Sequence, residues 1–493
     1  MTPIQLNLYL FAATVIAFAW VGFSASRRSK SANEYFHHPS LAKNVLSLTA
    51  TNLTLGTGLI YLIYGAQSNG LLMLLPVICV GVGYWLLAGF LDRANQVSLR
   101  TGKNYLAAID YEISKATGEK SNFARIVTAS LVFIFVLILA FEIFASSKVI
   151  SPFLYAQPTV TSEIMLSIVI FIITVLYAVM GGVRAVFNVD YLQVPLVCLF
   201  LAAFIYLGVP DLGHPTMAAT ALGHTFKYNS SILTAVLIAC INSIATQFYS
   251  ILNWGAVSNV AVGEQKKLLR WVGTCTSAAL AIFVLVGLLH APGPTGQVWQ
   301  SLVEGFSQIA THSSLFAFLV SGVLMLGLAS ILLTTTDAVV VNCIMFWFDN
   351  IAGGNSKDQV ESPSTLSKIR WIGATTFSTC FAVLLILNYA QPDPFYLLLS
   401  MAGGVVVFAP MIVTAGYLTT RGHALRYFTR RVTLLFFVLF LASGLADVIL
   451  LSKRSTLVPY IGLVSFVGSL CVCSSLLWRS TAQAIKNKGI PHL

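Results

Sequence analysis

The sequence predicts an all-α polytopic membrane protein with about thirteen transmembrane helices, and three observations carry that expectation. Of 493 residues, 57% are hydrophobic and only 9% are charged, where a soluble protein of this size carries about a quarter charged residues. Apolar windows of membrane length recur along the whole chain and leave no hydrophilic block large enough for a second domain. Mean hydropathy is +0.84. Such continuous runs suit a helical bundle; a β-barrel alternates at period two and is far more polar.

In order, the expected spans are 4–25, 45–67, 70–91, 124–150, 161–182, 188–209, 231–258, 270–290, 313–346, 368–390, 394–418, 431–452 and 458–479. The largest polar segments are 92–123, 210–230, 291–312 and 349–367. The first apolar stretch has no basic region before it and no clear cleavage site, so it reads as a retained helix rather than a signal peptide. Eight cysteines stand in apolar segments, two of them as Cys471-Val-Cys473, without metal-finger or secreted-disulfide spacing.

Orientation follows from the basic residues. With the N-terminus outside, 24 of the 28 Lys and Arg fall in inner loops or at the C-terminus, and only Lys148, Lys227, Lys453 and Arg454 fall outside. The expectation is a multi-pass plasma-membrane protein with a cytoplasmic C-terminus, in the inner membrane if the source is bacterial. The net charge of +11 is then a topology effect and does not imply a nucleic-acid partner.

Ionisable groups inside spans are costly and mark functional candidates. Four carboxylates qualify: Glu142, Asp190, Asp337 and Asp447; Glu163 stands at the outer mouth of its span. Asp190 lies in "YAVMGGVRAVFNVDYLQ", at the start of a span, where it reads also as a helix cap. Asp337 follows three threonines in "LASILLTTTDAVVVN". A threonine in an apolar helix often bonds back to its own backbone, yet hydroxyls and carbonyls are also the hard oxygen donors that a hard cation needs. In "LTATNLTLGTGLIYLIYGAQSNG", Asn52, Thr54, Gly56, Thr57 and Gly58 cluster. Either this is close packing through small residues, or it is an interrupted helix whose freed carbonyls can hold a cation. Glu142, in "LAFEIFASSKVISP", stands nearly two turns before Lys148, within strained reach of a salt bridge, or makes a structural contact to a neighbouring helix. Asp447, close before Lys453 and Arg454, reads as structural.

Together these segments resemble the sodium:solute symporter family, whose members have the LeuT-type fold. "YAVMGGVRAVFNVDYLQ" is similar to the family's pattern at Tyr177, Gly181, Gly182, Ala185, Val186, Asp190 and Gln193. "TATNLTLGTGLIYLIYGAQSNG" resembles its first core helix, "FEIFASSKV" its third, "LLTTTDAVVVN" its eighth and "SMAGGVVVFAPMIVTAGYLTTRG" its tenth. The resemblance implies one membrane domain over 1–493, with a leading helix in 1–30, an inverted 5+5 repeat core in 43–420 and two trailing helices in 431–480. It also implies breaks in core helices 1 and 6, with ions and solute bound there. The implied sodium site uses carbonyls of Ala50, Leu53 and Ile331 and the hydroxyls of Thr334 and Thr335. Aligning on Asn342 instead of Asp337 shifts the hydroxyl pair to Thr335 and Thr336. A second ion or coupling site would join Asp190 to Asp337. The chain departs from the pattern at Asn253-Trp254, where the family has Gln-Arg, and at Ala338, where it has Ser. Gly56 and Thr57 replace the larger polar residues of sugar-type members, which argues against a sugar.

The function expected is therefore sodium-coupled import of a small organic solute, an amino acid, amine or similar, by alternating access. The candidate solute contacts are Asn52, Thr57, Glu142, Ser146, Gln247 and Tyr249. The expected partners are the solute, sodium as coupling ion and the lipid bilayer, for a monomeric protein. The rival readings are proton coupling through Asp190 and Asp337, and a transporter-like sensor acting with a separate protein. No nucleophile–base pairing or metal-ligand cluster in the sequence suggests an enzyme.

Overall fold

The computed structural model describes residues 2–28, 35, 40–101, 103–212, 230–289, 315–351, 363–392, 406–419, 430–452 and 458–487, and its elements are helices. In chain order these are α1 (Pro3–Arg28), α2 (Leu41–Thr51), a π-helical turn (Leu55–Ile60), α3 (Tyr61–Asn69), a 3-10 turn (Gly70–Met73), α4 (Leu74–Thr101), α5 (Tyr105–Thr117) and α6 (Phe123–Leu154). There follow α7 (Val160–Leu212), α8 (Ser230–Tyr249), α9 (Ile251–Ser258), α10 (Gln265–Leu289), α11 (Leu315–Asn350), α12 (Pro363–Ala390), α13 (Phe408–Thr419), α14 (Arg430–Ser452) and α15 (Val458–Asn487).

Nine helices among the described residues are long and apolar enough to cross a membrane. The second expected span is absent from them because it is broken between α2 and α3, and the span expected over 394–418 lies partly outside the described residues. The spans expected over 161–182 and 188–209 form one element, α7, bent at Gly182. Gly182 has φ 62° and ψ −154°, a conformation that only glycine adopts readily. A Cβ there would also stand 2.6 Å from Tyr35. The second arm therefore starts right after Gly182, and Asp190 lies two turns inside it. It does not cap a helix start, contrary to one of the two sequence readings.

The polar segment 92–123 has structure of its own. Most of it is helical: α4 runs on to Thr101, and α5 begins after Asn104 and stops at the left-handed Gly118 (φ 72°). Leu106, Ile109 and Ile113 bury one face of α5 at helical spacing.

Two packing groups emerge. In one, α4 lies against α8 and α10, and α10 also holds α2 and α3. In the other, α7 lies along α1 and α11, and α6 along α11 and α12. The most apolar windows of α6 and α11 are each 72% buried, which puts these helices at the centre. On the opposite rim from α5, Lys148 of α6 donates to Glu163 Oε2 of α7 at 2.9 Å and to Gln391 Oε1 at 2.6 Å. Of the two readings of Glu142, the strained pair with Lys148 does not form among the described residues: the carboxylate paired with Lys148 is Glu163. Asp447's expected neighbours, Lys453 and Arg454, lie outside the described residues; among the described residues neither oxygen of the buried Asp447 carboxylate has a hydrogen-bond partner.

Candidate functional site

The site is built on two helix breaks, where the resemblance places them. At the first, α2 ends at Thr51, Thr54 is extended (φ −73°, ψ 152°), and the chain resumes in the π turn, closed by Leu59 N–H to Thr54 O at 2.9 Å. Glycine is needed here for close approach: a Cβ on Gly56 would stand 2.7 Å from the Phe141 ring. The Gly56 N–H instead donates to Glu142 Oε2 at 2.7 Å. Glu142, 1% exposed, is thus the partner of the broken helix rather than of Lys148.

The predicted ion residues gather beside this break. Ala50 O accepts the Leu53 N–H at 3.0 Å, and both side chains are buried. Thr335 of α11 donates from Oγ1 towards Ile331 O at 3.0 Å and towards Thr51 O at 3.2 Å. Thr334 Oγ1 is bonded to Gln193 Oε1 at 2.7 Å and to Ser330 O at 2.8 Å. Thr336 bonds only to its own helix, at Leu332 O and Leu333 O. Of the three hydroxyls, Thr334 and Thr335 are the two that reach beyond α11.

Asp190 and Asp337 flank the same place, near enough to interact electrostatically. Ser47 of α2 donates to Asp190 Oδ2, and the Tyr177 hydroxyl donates to Asp337 Oδ2 at 2.6 Å. Among the described residues, the other oxygen of each carboxylate, and Gln193 Nε2, are buried without a hydrogen-bond partner. Among the described residues neither carboxylate is in an ion pair. A small cavity of about 40 Å³ opens beside Ser47 and Thr51, between α2, α7, α9 and α11.

The second break falls at Ser250 (φ −62°, ψ 115°), between α8 and α9. It frees backbone carbonyls, and the side chains that depart from the family pattern satisfy them. Asn253 Nδ2 donates to Gln247 O at 3.1 Å and to Gln247 Oε1 at 2.9 Å, and Trp254 Nε1 donates to Phe248 O at 2.8 Å. Tyr84 of α4 ties the two breaks together. Its hydroxyl accepts from Asn52 Nδ2 and donates to Asn253 Oδ1, each at 2.8 Å.

Between the breaks lies a cavity of about 290 Å³. Asn52, Gln247 and Tyr249 line it, with Thr335 at one edge. Glu142 and Ser146 do not line it; they are buried on α6 behind the first break. Thr57 is on the π turn, and its side chain lies outside the described set. A second cavity, of about 260 Å³, lies between α4, α5, α9 and α11 and includes Lys103 and Asp349. Tyr105 and Trp254, both on its wall, stack at 4.8 Å between ring centroids. Sequence reasoning missed Ser47, Tyr84 and the Thr51 carbonyl. Ser47 could have been found from its place one turn before Thr51 and one turn after Asn44, a polar stripe along one face of α2; Tyr84 carries no signal of its own.

No family model and no curated protein matches the sequence. Among solved structures, the chain is similar to a sodium-coupled sialic acid symporter in a substrate-bound outward-open state. Identity there is 14%, over 95% of this chain and 98% of that one, with a TM-score of 0.66. Weaker likenesses are to a manganese transporter of Eremococcus coleocola (15% identity, 90% and 94% covered, TM-score 0.47) and to MhsT in complex with L-phenylalanine (13%, 83% and 99%, TM-score 0.48). At 14% identity the first likeness is one of fold. The chain is a multi-pass, all-helical membrane protein with the fold of that symporter.

Proposed function

We propose that the protein is a sodium-coupled symporter that imports a small organic solute across the plasma membrane by alternating access. The observation that carries the reading is the Thr335 hydroxyl facing the Thr51 carbonyl at the first break, 3.2 Å apart. A cation held there by carbonyls of Ala50, Leu53 and Ile331 and by Thr334 and Thr335 would meet only hard oxygen donors, the set that sodium prefers. It would pin α2 against α11, and so join one packing group to the other beside the solute cavity. At about 290 Å³ that cavity is at the small end of ligand sites. Solute affinity then rises with sodium, and linkage makes the effect reciprocal, typically about 1–3 kcal/mol.

The test is thermal stabilisation of the purified protein by sodium chloride against choline-free potassium chloride, followed by uptake in proteoliposomes. Stabilisation by sodium that disappears in Thr335→Ala supports the site; a wild type indifferent to sodium overturns it.

Proton coupling is a second reading because, among the described residues, Asp190 and Asp337 each hold a buried oxygen without a hydrogen-bond partner and neither is in an ion pair. Two close carboxylates of this kind compete for one proton. Uptake that ignores sodium but collapses with a protonophore at constant membrane potential, and that is lost in Asp337→Asn, would establish it in place of the first reading.

A further inference from the structure

The seam between α4 and α10 reaches the surface as a groove with an apolar stretch and a basic end. We propose that it binds an anionic phospholipid, with the phosphate on Arg270 and an acyl chain along α4. The site is separate from the solute cavity and does not depend on which ion drives transport.

The groove starts from glycine. α4 and α10 touch where Gly81 meets Gly273: a Cβ on Gly81 would stand 2.8 Å from Ser277 Oγ, and one on Gly273 2.6 Å from Tyr84 Cβ. Across the same contact Ser277 Oγ donates to Val77 O at 2.9 Å. The contact has no room for larger side chains, and those of α4 stand outward beside it. Leu75, Ile78, Val82, Trp85 and Leu86 are exposed at helical spacing. From Leu75 to Leu86 the strip covers about 16 Å of helix. That matches one leaflet of a hydrocarbon core about 30 Å thick, and so one acyl chain.

At one end of the strip the chemistry changes. Arg270 lies over the Trp85 ring, 5.1 Å from its centroid. One turn further along α4 is Gly89, where a Cβ would meet open space. Next comes Asp92, which accepts from Lys266 Nζ at 2.5 Å. Arg270 and Lys266 are one turn apart on α10, so the two cations flank the notch that Gly89 leaves. Lys267 is exposed beside them.

Arg270 carries the inference. Among the described residues its guanidinium makes no hydrogen bond and no ion pair; it faces a ring and not an acceptor. Of the nearby carboxylates, Asp92 is taken by Lys266, and Glu264 lies before the start of α10. An arginine at the rim of the hydrocarbon without a counter-charge is costly. A phosphate fits its planar fork of five donors, two bonds at a time. Trp85 and Trp271, each 54% exposed, supply the rings favoured at headgroup level. A zwitterionic lipid brings its own ammonium, which Arg270 and Lys267 repel; an anionic headgroup brings none. The apolar strip running on from the cations selects a lipid over a soluble phosphate.

The experiment uses the full-length protein, delipidated in dodecyl maltoside. The probes are dioleoyl phosphatidylglycerol, dioleoyl phosphatidylcholine and soluble glycerol 3-phosphate. Binding is read by thermal stabilisation and native mass spectrometry. Phosphatidylglycerol is expected to bind at least about tenfold more tightly than phosphatidylcholine, and glycerol 3-phosphate not to bind. Arg270→Gln is expected to lower that preference to about twofold. Trp85→Leu keeps the apolar strip and removes the ring under Arg270; the preference is expected to fall by about threefold. The control is Arg370→Gln. Arg370 is also exposed and also precedes an exposed tryptophan, Trp371, but among the described residues it lies over no ring. Its removal should leave the preference unchanged. Equal binding of the two lipids overturns the inference, and so does glycerol 3-phosphate binding as well as phosphatidylglycerol. An Arg370→Gln loss as large as that of Arg270→Gln also overturns it, because diffuse charge and not this groove would then attract the lipid. If Arg270→Gln does not fold, Trp85→Leu and the order of probes in the wild type decide.

Discussion

The two helix breaks are chemically alike and differently held. In a membrane every freed backbone group must find a partner inside the protein. At the first break three contacts cross to the other packing group, beside the Asn52–Tyr84 bond within its own: Ser47 bonds to Asp190 of α7, the Thr51 carbonyl faces Thr335 of α11, and the Gly56 N–H meets Glu142 of α6. At the second break the partners are local. Asn253 and Trp254 return to the carbonyls of Gln247 and Phe248, and the one bond that leaves goes to Tyr84 of α4, within the same packing group. The lesson is mechanical. A self-satisfied break can travel with its group as one body, whereas the first break must exchange partners if the groups move. It is therefore the natural place for an ion to enter the energy balance.

Single substitutions can break that contrast. The largest effect is expected for Thr335→Ala, which removes the hydroxyl facing Thr51. Sodium-dependent stabilisation and uptake are expected to disappear, while stability without sodium changes little, because Thr51 lies at a break with other polar groups close by. Asn253→Ala should do the reverse. It takes the Asn253 donor from Gln247 O and leaves the Tyr84 hydroxyl proton without its acceptor, at a cost of about 1–3 kcal/mol in unfolding free energy, and the response to sodium should persist. Equal loss of sodium response in both variants, read by thermal shift with and without sodium, would show that the two breaks act as one unit and that the contrast is only geometric.

Much of this contrast can be read in the sequence on one side only. Asn52, Thr54, Gly56 and Gly58 announce the first break, because glycines and polar residues clustered in an apolar run cannot all be lipid-facing helix. The threonine run and Asp337 announce the helix opposite, and Gly181-Gly182 the hinge of α7. The pairings were beyond reach, since Ser47 and Asp190 stand 143 residues apart, and Thr51 and Thr335 284 apart. Local proximity even misled: Lys148 suggested a partner six residues away, and its carboxylate is Glu163, 15 residues on. The resemblance implied the second break, but Asn253-Trp254 stood out only as a departure, and the role of that pair as a staple depends on the turn at Ser250, which no residue pattern marks. Tyr84 is a single tyrosine in an apolar helix, and nothing in its surroundings distinguishes it from core.

Tyr84 therefore sharpens the comparison most finely. Its hydroxyl is the link between Asn52, beside the ion residues, and Asn253, which holds Gln247 on the cavity wall. Tyr84→Phe keeps the ring, which is fully buried, and deletes only the oxygen. The loss leaves one Asn52 N–H and the Asn253 carbonyl oxygen short of a partner, so stability should fall by about 1 kcal/mol. Sodium and solute should each still bind, since neither the ion residues nor the cavity wall is removed. What should weaken is their mutual effect, by about 0.5–2 kcal/mol, the range in which residues between two sites modulate coupling. Solute titrations at zero and saturating sodium, in wild type and Tyr84→Phe, measure it directly. If the ratio of the two affinities is the same in both proteins, the hydroxyl is a structural bond and coupling runs through the Thr51–Thr335 contact alone. If the ratio falls while each single-ligand affinity holds, the second break, though satisfied locally, reports on the ion through one phenol.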